Sequence, residues 1–232
     1  MDISKAYDST WIPALLLKLA RAGVAGNCFN WLTSSLQERS FSVSVGASTA
    51  ISSRLFTGVP QGSPLSPTLF NVMLSDFPSP PRQIKTLLYA DDIECHCWAK
   101  DEMETENVMQ PYLERIVSWS RKWKFKFSYE KCALMTFTYT SRPPPQPLLF
   151  LAGHRVQQVE VFKFLGLWLD QRLTWKHHIK TVVEKCLNMK KLFLVLIKMS
   201  KIISTFHMIR FFKALVQSRI DYGLVVYGAG AP

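Results

Sequence analysis

Two neighbouring carboxylates, Asp91 and Asp92, stand between apolar runs at residues 84–89 and 93–98. The runs predict two strands joined by a tight turn that carries the acids. An Asp pair between strands is, by itself, ordinary turn chemistry. Here, however, the flanking runs are apolar enough to be core strands, and two like charges beside a core require a cation to offset their repulsion. The pattern therefore indicates a cation site, with a simple turn as the alternative.

The residue types at this turn favour Mg²⁺ or Mn²⁺. Asp2, near the end of a predicted strand, could add a third carboxylate, or it could be a frayed terminal charge. Oxygen ligands without a His or Cys cluster suit these hard cations better than zinc. A metal site at Cys95, His96 and Cys97 is the competing possibility. Alternation along a strand puts both cysteines on one face and the histidine on the other, which predicts core packing instead.

A third feature is the loop at residues 58–64, which contains two glycines and two prolines. Such a run is too rich in these residues for a helix or a strand. It follows a hairpin predicted at residues 41–57 and leads into a helix predicted at residues 66–77. By itself the loop could be a turn, so its meaning depends on the elements around it.

The spacing of apolar residues, which distinguishes strands from helices, changes along the chain. Beyond the turn, a helix is predicted to about residue 124, and strands are predicted near residues 132–139 and 161–169. The proline-rich stretch at residues 141–147 is predicted to be a stiff surface connector. From about Trp175 the period becomes 3.6, which predicts one helix to about residue 198 and a second over residues 205–218.

Composition narrows the class of protein. The chain has 232 residues, of which 48% are hydrophobic and 19% charged, so it can bury a core and is not a disordered tail. Five scattered cysteines without a CxxC pair argue against a secreted disulfide scaffold and a zinc ribbon. No apolar stretch approaches the roughly 18 residues of a membrane span, and no signal peptide follows the N-terminus. A soluble intracellular protein without a membrane partner is expected, in the nucleus or the cytoplasm.

Positive charge is concentrated in the C-terminal part. The formal net charge is +11, and residues 171–232 contain eleven Lys or Arg against two acids, a net +9. A basic surface of this kind suggests a polyanion partner, most commonly nucleic acid. A merely solvated charged helix face is the alternative.

Five segments, in order and in spacing, resemble the motifs of reverse transcriptases, specifically the jockey-like enzymes of non-LTR retrotransposons. The first three are residues 2–8, 58–67 and 89–92, the fourth is a helical stretch ending at Lys131, and the fifth is residues 164–167. Residues 173–179 and 218–223 also resemble such elements. The resemblance spans nearly the whole chain.

The resemblance implies an α+β fold in two parts. Residues 1–170 would form a polymerase palm, with a ferredoxin-like sheet and helices on one face, and residues 171–232 a helical thumb. The implied function is RNA-directed DNA polymerase activity by two-metal nucleotidyl transfer. The implied partners are an RNA template, a DNA primer and deoxynucleoside triphosphates, with the template–primer backbone held by the basic thumb helices. The oligomeric state stays open.

The resemblance assigns two Mg²⁺ or Mn²⁺ ions to Asp2 and Asp91, with Asp92 assisting. The backbone carbonyl of Ile3 would be a further ligand. Asp2 and Asp91 are far apart in the sequence, so only strand pairing can bring them together. A palm sheet would place the Asp2 strand beside the hairpin that carries Asp91 and Asp92.

The resemblance also assigns contacts with the incoming nucleotide. Tyr7 matches the steric gate, a bulky ring under the sugar, and a core aromatic is its alternative. Lys5 would meet the triphosphate. Gln61 would contact the nucleotide or the template, and Gly62 would permit close approach of the backbone.

Two further assignments concern the leaving group and the primer. Lys131 would protonate the leaving pyrophosphate, and a solvated lysine is the alternative. Phe164, Leu165 and Gly166 match the primer grip.

The resemblance implies a fingers region upstream of the first motif, whereas Met1 directly precedes Asp2 in this sequence, so the fingers are expected to be missing. A fragment or degraded copy of an element is expected, with little or no polymerisation by these residues alone. A catalytically dead remnant that binds RNA or DNA through its basic C-terminal helices is the alternative function. A different two-metal palm enzyme, such as a nucleotide cyclase, is a third possibility, but the 58–64 loop and Tyr7 argue against it.

Overall fold

The structure, a computed structural model, describes residues 1–140, 146–198 and 204–228. Helices and strands are mixed along the chain, which confirms the α+β class. Two compact units form, one from Met1–Ala133 with Pro147–Gln157 and the other from Leu134–Gln146 with Gln158–Pro232. Most of the connector predicted at residues 141–147 lies outside the described residues. Within the described ranges, no helix is long and apolar enough to cross a membrane.

Most helices are short, and α5 is the longest. They are α1 Ala6–Ser9, α2 Ile12–Arg21, α3 Gly26–Leu36, α4 Ser66–Leu74, α5 Glu102–Lys122, α6 Lys176–Asn188, α7 Lys190–Lys198, α8 Thr205–Phe212, α9 Ser218–Asp221 and α10 Leu224–Tyr227. Residues Tyr129–Lys131 form a 3₁₀ turn, and Lys213–Gln217 form a π-helical turn.

The strands pair mainly as antiparallel hairpins. They are β1 Arg39–Phe41, β2 Ser44–Val45, β3 Ser48–Thr49, β4 Ser53–Leu55, β5 Ile84–Tyr89, β6 Asp92–Cys97, β7 Ala133–Leu134, β8 Phe150–Leu151, β9 His154–Arg155, β10 Gln157–Gln158, β11 Val161–Phe164 and β12 Leu167–Asp170. The hairpin pairs are β1 with β4, β2 with β3, β5 with β6, β8 with β9 and β11 with β12.

Side chains of α2, α4 and α5 form the core of the first unit. α2 packs against α3 and α4, and α5 packs against β6 and β8. Leu15, Phe70 and Ile116, one on each of the three helices, are fully buried. Burial of a side chain of this size stabilises the folded state by about 1.5–3 kcal/mol. Phe125 extends this core, because its ring contacts both Phe70 and Trp119.

A buried lysine joins α2 to the end of α4 and to α5. Lys18 is 5% exposed, and its Nζ donates to Asp76 Oδ1 at 2.5 Å and to the carbonyl of Met73. The indole N–H groups of Trp119 and Trp123 donate to the two oxygens of Asp76 at 2.8 and 3.0 Å. The lysine Nζ also lies 4.1 Å from the ring centroid of Trp123, within range of a cation–π interaction. Three helical segments therefore meet at one ion pair.

The two members of this pair respond differently to burial. Burial lowers the pKa of Lys18 although its partner favours the charged form. At Asp76, burial acts to raise the pKa, but hydrogen bonds from Lys18 and Trp119 outweigh it and hold the pKa below its ordinary value. The difference follows from exposure, since the side chain of Asp76 is 40% exposed and that of Lys18 is enclosed.

In the second unit, Asp170 organises the connection between the β11–β12 hairpin and α6. Its carboxylate accepts hydrogen bonds from the backbone N–H groups of Arg172, Thr174 and Trp175 at 3.1, 3.0 and 2.9 Å. Burial acts to raise the pKa of Asp170, but these bonds outweigh it and lower the pKa. Because β12 packs on α6, the second unit starts well before residue 171, where the thumb was predicted to begin. The assignment of palm and thumb stays a prediction.

The single helix predicted from about Trp175 to residue 198 is wrong, because α6 and α7 are separate helices. The break lies at Met189, whose N–H bonds to the carbonyl of Cys186 at 3.0 Å. This i−3 bond is the tighter 3₁₀ pattern that commonly ends an α-helix. The helical spacing of apolar residues continues through both α6 and α7, although the helix itself is interrupted at Met189.

Two other boundaries differ from the sequence prediction. The helix predicted to about residue 124 is confirmed as α5, but the fourth-motif stretch is not helical as far as Lys131. The helix ends at Lys122, since Lys124 has a left-handed φ of 62° and the N–H of Phe125 returns to the carbonyl of Ser120. Lys131 lies in the separate 3₁₀ turn. The strand predicted at residues 132–139 is reduced to β7.

Candidate active site

Asp2 and Ile3 lie directly beside the hairpin that carries the acidic pair. Asp2 forms an antiparallel bridge with Asp92, the N–H of Ile93 donates to the carbonyl of Met1 at 2.9 Å, and the N–H of Ile3 donates to the carbonyl of Asp91 at 3.3 Å. Residues directly opposite each other in an antiparallel pair place their side chains on the same face. The carboxylates of Asp2 and Asp92 therefore share one face.

A second backbone segment holds the other side of Asp2 and Ile3. Ile3 forms an antiparallel bridge with Phe127, and the N–H of Ser128 donates to the carbonyl of Asp2 at 2.9 Å. The side chain of Ile3 is 1% exposed, so this central segment is anchored by burial as well as by hydrogen bonds. Sequence reasoning missed this partner. The alternation of aromatic and polar residues at 123–128 is the signal that could have identified it.

The hairpin turn presents Asp91 at its tip. Tyr89 pairs with Asp92, which leaves Ala90 and Asp91 as a two-residue loop. Ala90 has a φ of 51°, in the left-handed region that is disfavoured for residues with a Cβ. Strained backbone of this kind is found where the surrounding structure imposes it, often at functional sites.

Burial and electrostatic repulsion both act on Asp92. Its pKa is raised by burial first, and then by the negative charges of Asp91 and Asp2. Lys131 acts in the opposite direction, and its Nζ lies 3.3 Å from Asp2 Oδ2. The three carboxylates are thus electrostatically coupled, and Lys131 provides partial compensation.

The carboxylate oxygens at this site are the type of ligand that a hard divalent cation prefers. Asp2, Asp91 and Asp92 supply carboxylate oxygens, and their mutual repulsion is the kind that a bound cation relieves. In the part of the chain that the structure describes, however, no three or more His, Cys, Asp or Glu side chains are gathered as a ready metal site. The carboxylates are therefore neighbours that do not form a preassembled metal site among the described residues.

The cysteines beside the acidic pair are free thiols. Burial raises the pKa of the Cys95 thiol to about 11, so without a bound cation this thiol is protonated at neutral pH. In the part of the chain that the structure describes, these cysteines join no cluster of metal-ligating side chains. Their neighbour His96 hydrogen-bonds to Glu94 Oε1 at 2.8 Å.

The 58–64 loop docks onto α1, which directly follows the Asp2 segment. The N–H groups of Gly58 and Val59 donate to the carbonyls of Thr10 and Tyr7, each at 2.8 Å. Gln61 Nε2 donates to Asp8 Oδ1 at 3.1 Å. The first and second sequence motifs are thus joined by backbone and side-chain hydrogen bonds.

Arg39 is a further residue at this loop that the sequence did not reveal. Its Nη2 donates to the carbonyl of Thr57 at 3.0 Å and also to the carbonyl of Gly58. A basic residue at the start of a short strand has no distinctive sequence signal.

Three predicted nucleotide contacts differ in their surroundings. The ring of Tyr7 stacks on the buried Phe70, with centroids 5.1 Å apart and an interplanar angle of 18°. This packing is compatible with both a steric gate and a core aromatic. Lys5 is exposed with a left-handed φ of 48°, and Gly62 has open space around the position of an added Cβ.

Phe164, Leu165 and Gly166 lie in the second unit, at the turn of the β11–β12 hairpin. Leu165 and Gly166 form the two-residue loop, and both have positive φ, 43° and 84°. The role of this turn stays a prediction.

The order of the motifs and the pairing of Asp2 with the hairpin identify the family when they are combined with comparisons to known proteins. Residues 1–169 match the reverse transcriptase (RNA-dependent DNA polymerase) family. The chain belongs to the reverse transcriptase family. The relatives place this reverse transcriptase domain among the jockey-like enzymes of non-LTR retrotransposons.

Three relatives illustrate the similarity. The RNA-directed DNA polymerase from mobile element jockey of Drosophila melanogaster is 30% identical over 238 residues, covering 100% of this chain and 26% of that protein. The probable RNA-directed DNA polymerase from transposon BS of the same organism is 32% identical, over 80% of this chain and 21% of that protein. The Pol polyprotein from retrotransposable element R2 of Popillia japonica is 25% identical, over 82% of this chain and 34% of that protein. The chain thus spans about a fifth to a third of the length of these relatives.

Proposed function

We propose that this reverse transcriptase domain carries the palm carboxylates of an RNA-directed DNA polymerase. The pairing of Asp2 with Asp92, next to Asp91 at the hairpin tip, supports the proposal most directly. Residues that are far apart in sequence and that repel each other electrostatically meet on one backbone framework. Purely structural packing would not favour that arrangement, because like charges that are partly withdrawn from water repel one another.

In this proposal, Asp2, Asp91 and Asp92, with the backbone carbonyl of Ile3, hold two Mg²⁺ or Mn²⁺ ions. Such ions, when bound, activate the primer 3′-hydroxyl and hold the triphosphate. Lys131 neutralises Asp2 in the structure described here, at 3.3 Å, and would donate a proton to the leaving pyrophosphate. The same side chain would therefore serve as counter-ion before binding and as general acid afterwards.

The 58–64 loop and α1 would form the nucleotide side of the site. The N–H of Val59 donates to the carbonyl of Tyr7, so the loop is attached to the backbone of the proposed gate. The ring of Tyr7 is held against Phe70 and would block a ribose 2′-hydroxyl. Gln61 would exchange its bond with Asp8 for the incoming nucleotide or the template, and Lys5 would meet the triphosphate.

The second unit would supply the primer grip, at Phe164, Leu165 and Gly166, and the thumb. The nucleic-acid partner would be an RNA template paired with a DNA primer. The support is the concentration of basic residues after residue 170.

Replacement of Asp91 by asparagine tests the proposed chemistry. We expect the 232 residues alone to extend oligo(dT) on poly(rA) slowly or not at all with dTTP and Mg²⁺ or Mn²⁺, because the carboxylates are not gathered as a ready metal site. Small misplacements of reacting groups cost about 100-fold in rate. Whatever extension occurs should fall by about 100-fold or more in Asp91→Asn, because a ligand charge is lost.

Asp101→Asn is the matched control, since Asp101 caps the N-terminus of α5 and asparagine caps equally well. Extension that survives Asp91→Asn unchanged would contradict the proposed site. Fast extension that only Asp91→Asn abolishes would support the site and contradict the expectation of low activity.

The alternative, a nucleic-acid-binding remnant without catalysis, is favoured by the charge of the second unit. Lys180, Lys191 and Lys198 are all exposed on α6 and α7. Counter-ion release makes such binding steeply salt-dependent and insensitive to base sequence. A remnant would show this binding and no extension with any metal.

Charge reversal measures the contribution of those helices. Lys180→Glu, Lys191→Glu and Lys198→Glu together should weaken binding of an RNA–DNA duplex by at least about tenfold at low salt, and for all sequences alike. Fluorescence anisotropy over a range of NaCl concentrations gives both the affinity and the salt slope. Lys100→Glu, an equally exposed lysine in the first unit, is the control. Binding that does not change with salt would contradict a role for these helices.

A further inference from the structure

The turn between β11 and β12 is held in a conformation that its sequence does not favour. Leu165 and Gly166 both have positive φ, which is the pattern of a type I′ turn. Glycine suits its position, whereas the left-handed region is uncommon for a leucine. Some other part of the unit must therefore stabilise Leu165 in this conformation.

Tyr222 makes that stabilising contact from the other end of the unit. Its hydroxyl donates to the carbonyl of Leu165 at 2.7 Å. Its ring covers Gly166 so closely that an added Cβ would lie 2.9 Å from a ring carbon. The turn is thus held by one hydrogen bond and one contact between the ring and the backbone, both from a single side chain.

The residue after Tyr222 continues the contact. Gly223 has a φ of 74°, and a Cβ there would lie 2.6 Å from a methyl carbon of Leu167. Upstream, Arg219 Nη1 donates to the carbonyl of Lys185 at 3.3 Å, and α9 packs on α6. The segment at residues 218–223 is therefore attached to α6 on one side and to the hairpin turn on the other.

We propose that Tyr222 is a positioning residue that sets the conformation of the Leu165–Gly166 turn and so presents that turn to the primer. The inference rests on the proposed role of Phe164, Leu165 and Gly166 as the primer grip. It gives a function to the motif at residues 218–223, which acts through the turn without touching the reacting atoms.

The exposure of Leu165 and Tyr222 indicates that the contact between them affects the conformation of the turn more than the stability of the unit. Leu165 is 37% exposed and Tyr222 is 57% exposed, so neither side chain belongs to the buried core. A solvent-exposed hydrogen bond contributes modestly to folding. The same bond decides directly between turn conformations, because its acceptor belongs to the strained residue.

Tyr222→Phe removes the hydroxyl and keeps the ring. We expect binding of a fluorescently labelled RNA-template/DNA-primer duplex to weaken about three- to tenfold, the effect of one lost hydrogen bond on the local conformational equilibrium. Hydrogen exchange of the amides at residues 164–167 should accelerate by a similar factor. Tyr139→Phe, in the same unit and 90% exposed, should change neither measurement.

Leu165→Asn provides the rescue. Asparagine tolerates positive φ, and Asn-Gly is the pair that type I′ turns favour. In the Leu165→Asn background, Tyr222→Phe should therefore change hydrogen exchange at residues 164–167 by less than about twofold. Faster exchange in Tyr222→Phe that Leu165→Asn suppresses, together with weaker duplex binding by Tyr222→Phe alone, supports the inference.

Three results would overturn it, and they have different consequences. If Tyr222→Phe changes neither exchange nor binding, the contact does not set the turn. If exchange accelerates while binding stays unchanged, and Phe164→Ala still weakens binding, the primer grip stands and Tyr222 has no positioning role. If Phe164→Ala and Tyr222→Phe both leave duplex binding unchanged, the proposed primer grip itself is wrong and the inference falls with it.

Discussion

Replacing Asp76 with asparagine is expected to lower the free energy of unfolding by about 2–4 kcal/mol, because Lys18 then remains buried without its anion. Removing one partner of a fully buried pair costs about 3–5 kcal/mol, and partial exposure of Asp76 reduces that figure. Urea unfolding followed by tryptophan fluorescence measures the change directly, since Trp119 and Trp123 contact the carboxylate.

The double variant Lys18→Met with Asp76→Asn separates the lost charge pair from lost packing. Methionine fills a similar volume without a charge, so the double variant should be more stable than Asp76→Asn alone. A double variant that is as unstable as, or less stable than, the single variant would show that the buried charge is not the cause.

The same pair predicts how stability depends on pH. The folded-state pKa of Asp76 is lowered, so its contribution is complete above the ordinary unfolded value of about 3.9 and is lost as pH falls through the folded value. The lowered pKa of Lys18 affects stability at alkaline pH. Its charged form is disfavoured in the folded state, so folding carries a penalty while the lysine is protonated. That penalty is relieved as pH rises toward the unfolded value of about 10.4. Asp76→Asn should therefore remove part of the acid dependence.

Gly58→Ala is expected to cost about 2–4 kcal/mol, from left-handed strain of about 1–2 kcal/mol and from overpacking. Gly58 has a φ of 88°, and an added Cβ would lie 2.8 Å from the Cα of Asp8. The loop would have to leave α1, which would also disturb the hydrogen bond between Gln61 and Asp8. Urea unfolding reports the stability of the whole unit.

Gly62 offers a matched control in the same loop. It has the same φ of 88°, yet nothing lies within 4 Å of its added Cβ. Gly62→Ala should therefore show the conformational strain alone, about 1–2 kcal/mol. Equal losses in the two variants would mean that close contact with α1 does not matter.

Local chemistry and periodicity determined much of this reverse transcriptase domain. The apolar runs around Asp91 and Asp92 predict the β5–β6 hairpin, and the structure has it at nearly the same residues. The Gly- and Pro-rich composition of residues 58–64 predicts a loop that leads into a helix, and α4 begins at Ser66. The hairpin and the loop depend on residues that are neighbours in sequence, so the sequence alone is enough to predict them.

Other features depend on segments that are distant in sequence. The resemblance implied that the Asp2 strand lies beside the hairpin, but nothing near Asp2 indicates that Phe127 flanks its other side, because residues around a strand do not specify its partner. Lys18 follows the apolar spacing of α2, but only the position of Asp76 makes its burial tolerable. The carbonyl of Leu165, in a turn with positive φ, likewise accepts a hydrogen bond from Tyr222, which lies 57 residues away. The sequence by itself determined the local elements and the order of the motifs. The tertiary structure decided which charged groups pair and which side chains contact the turns, because the free energies of these interactions arise only when distant segments meet.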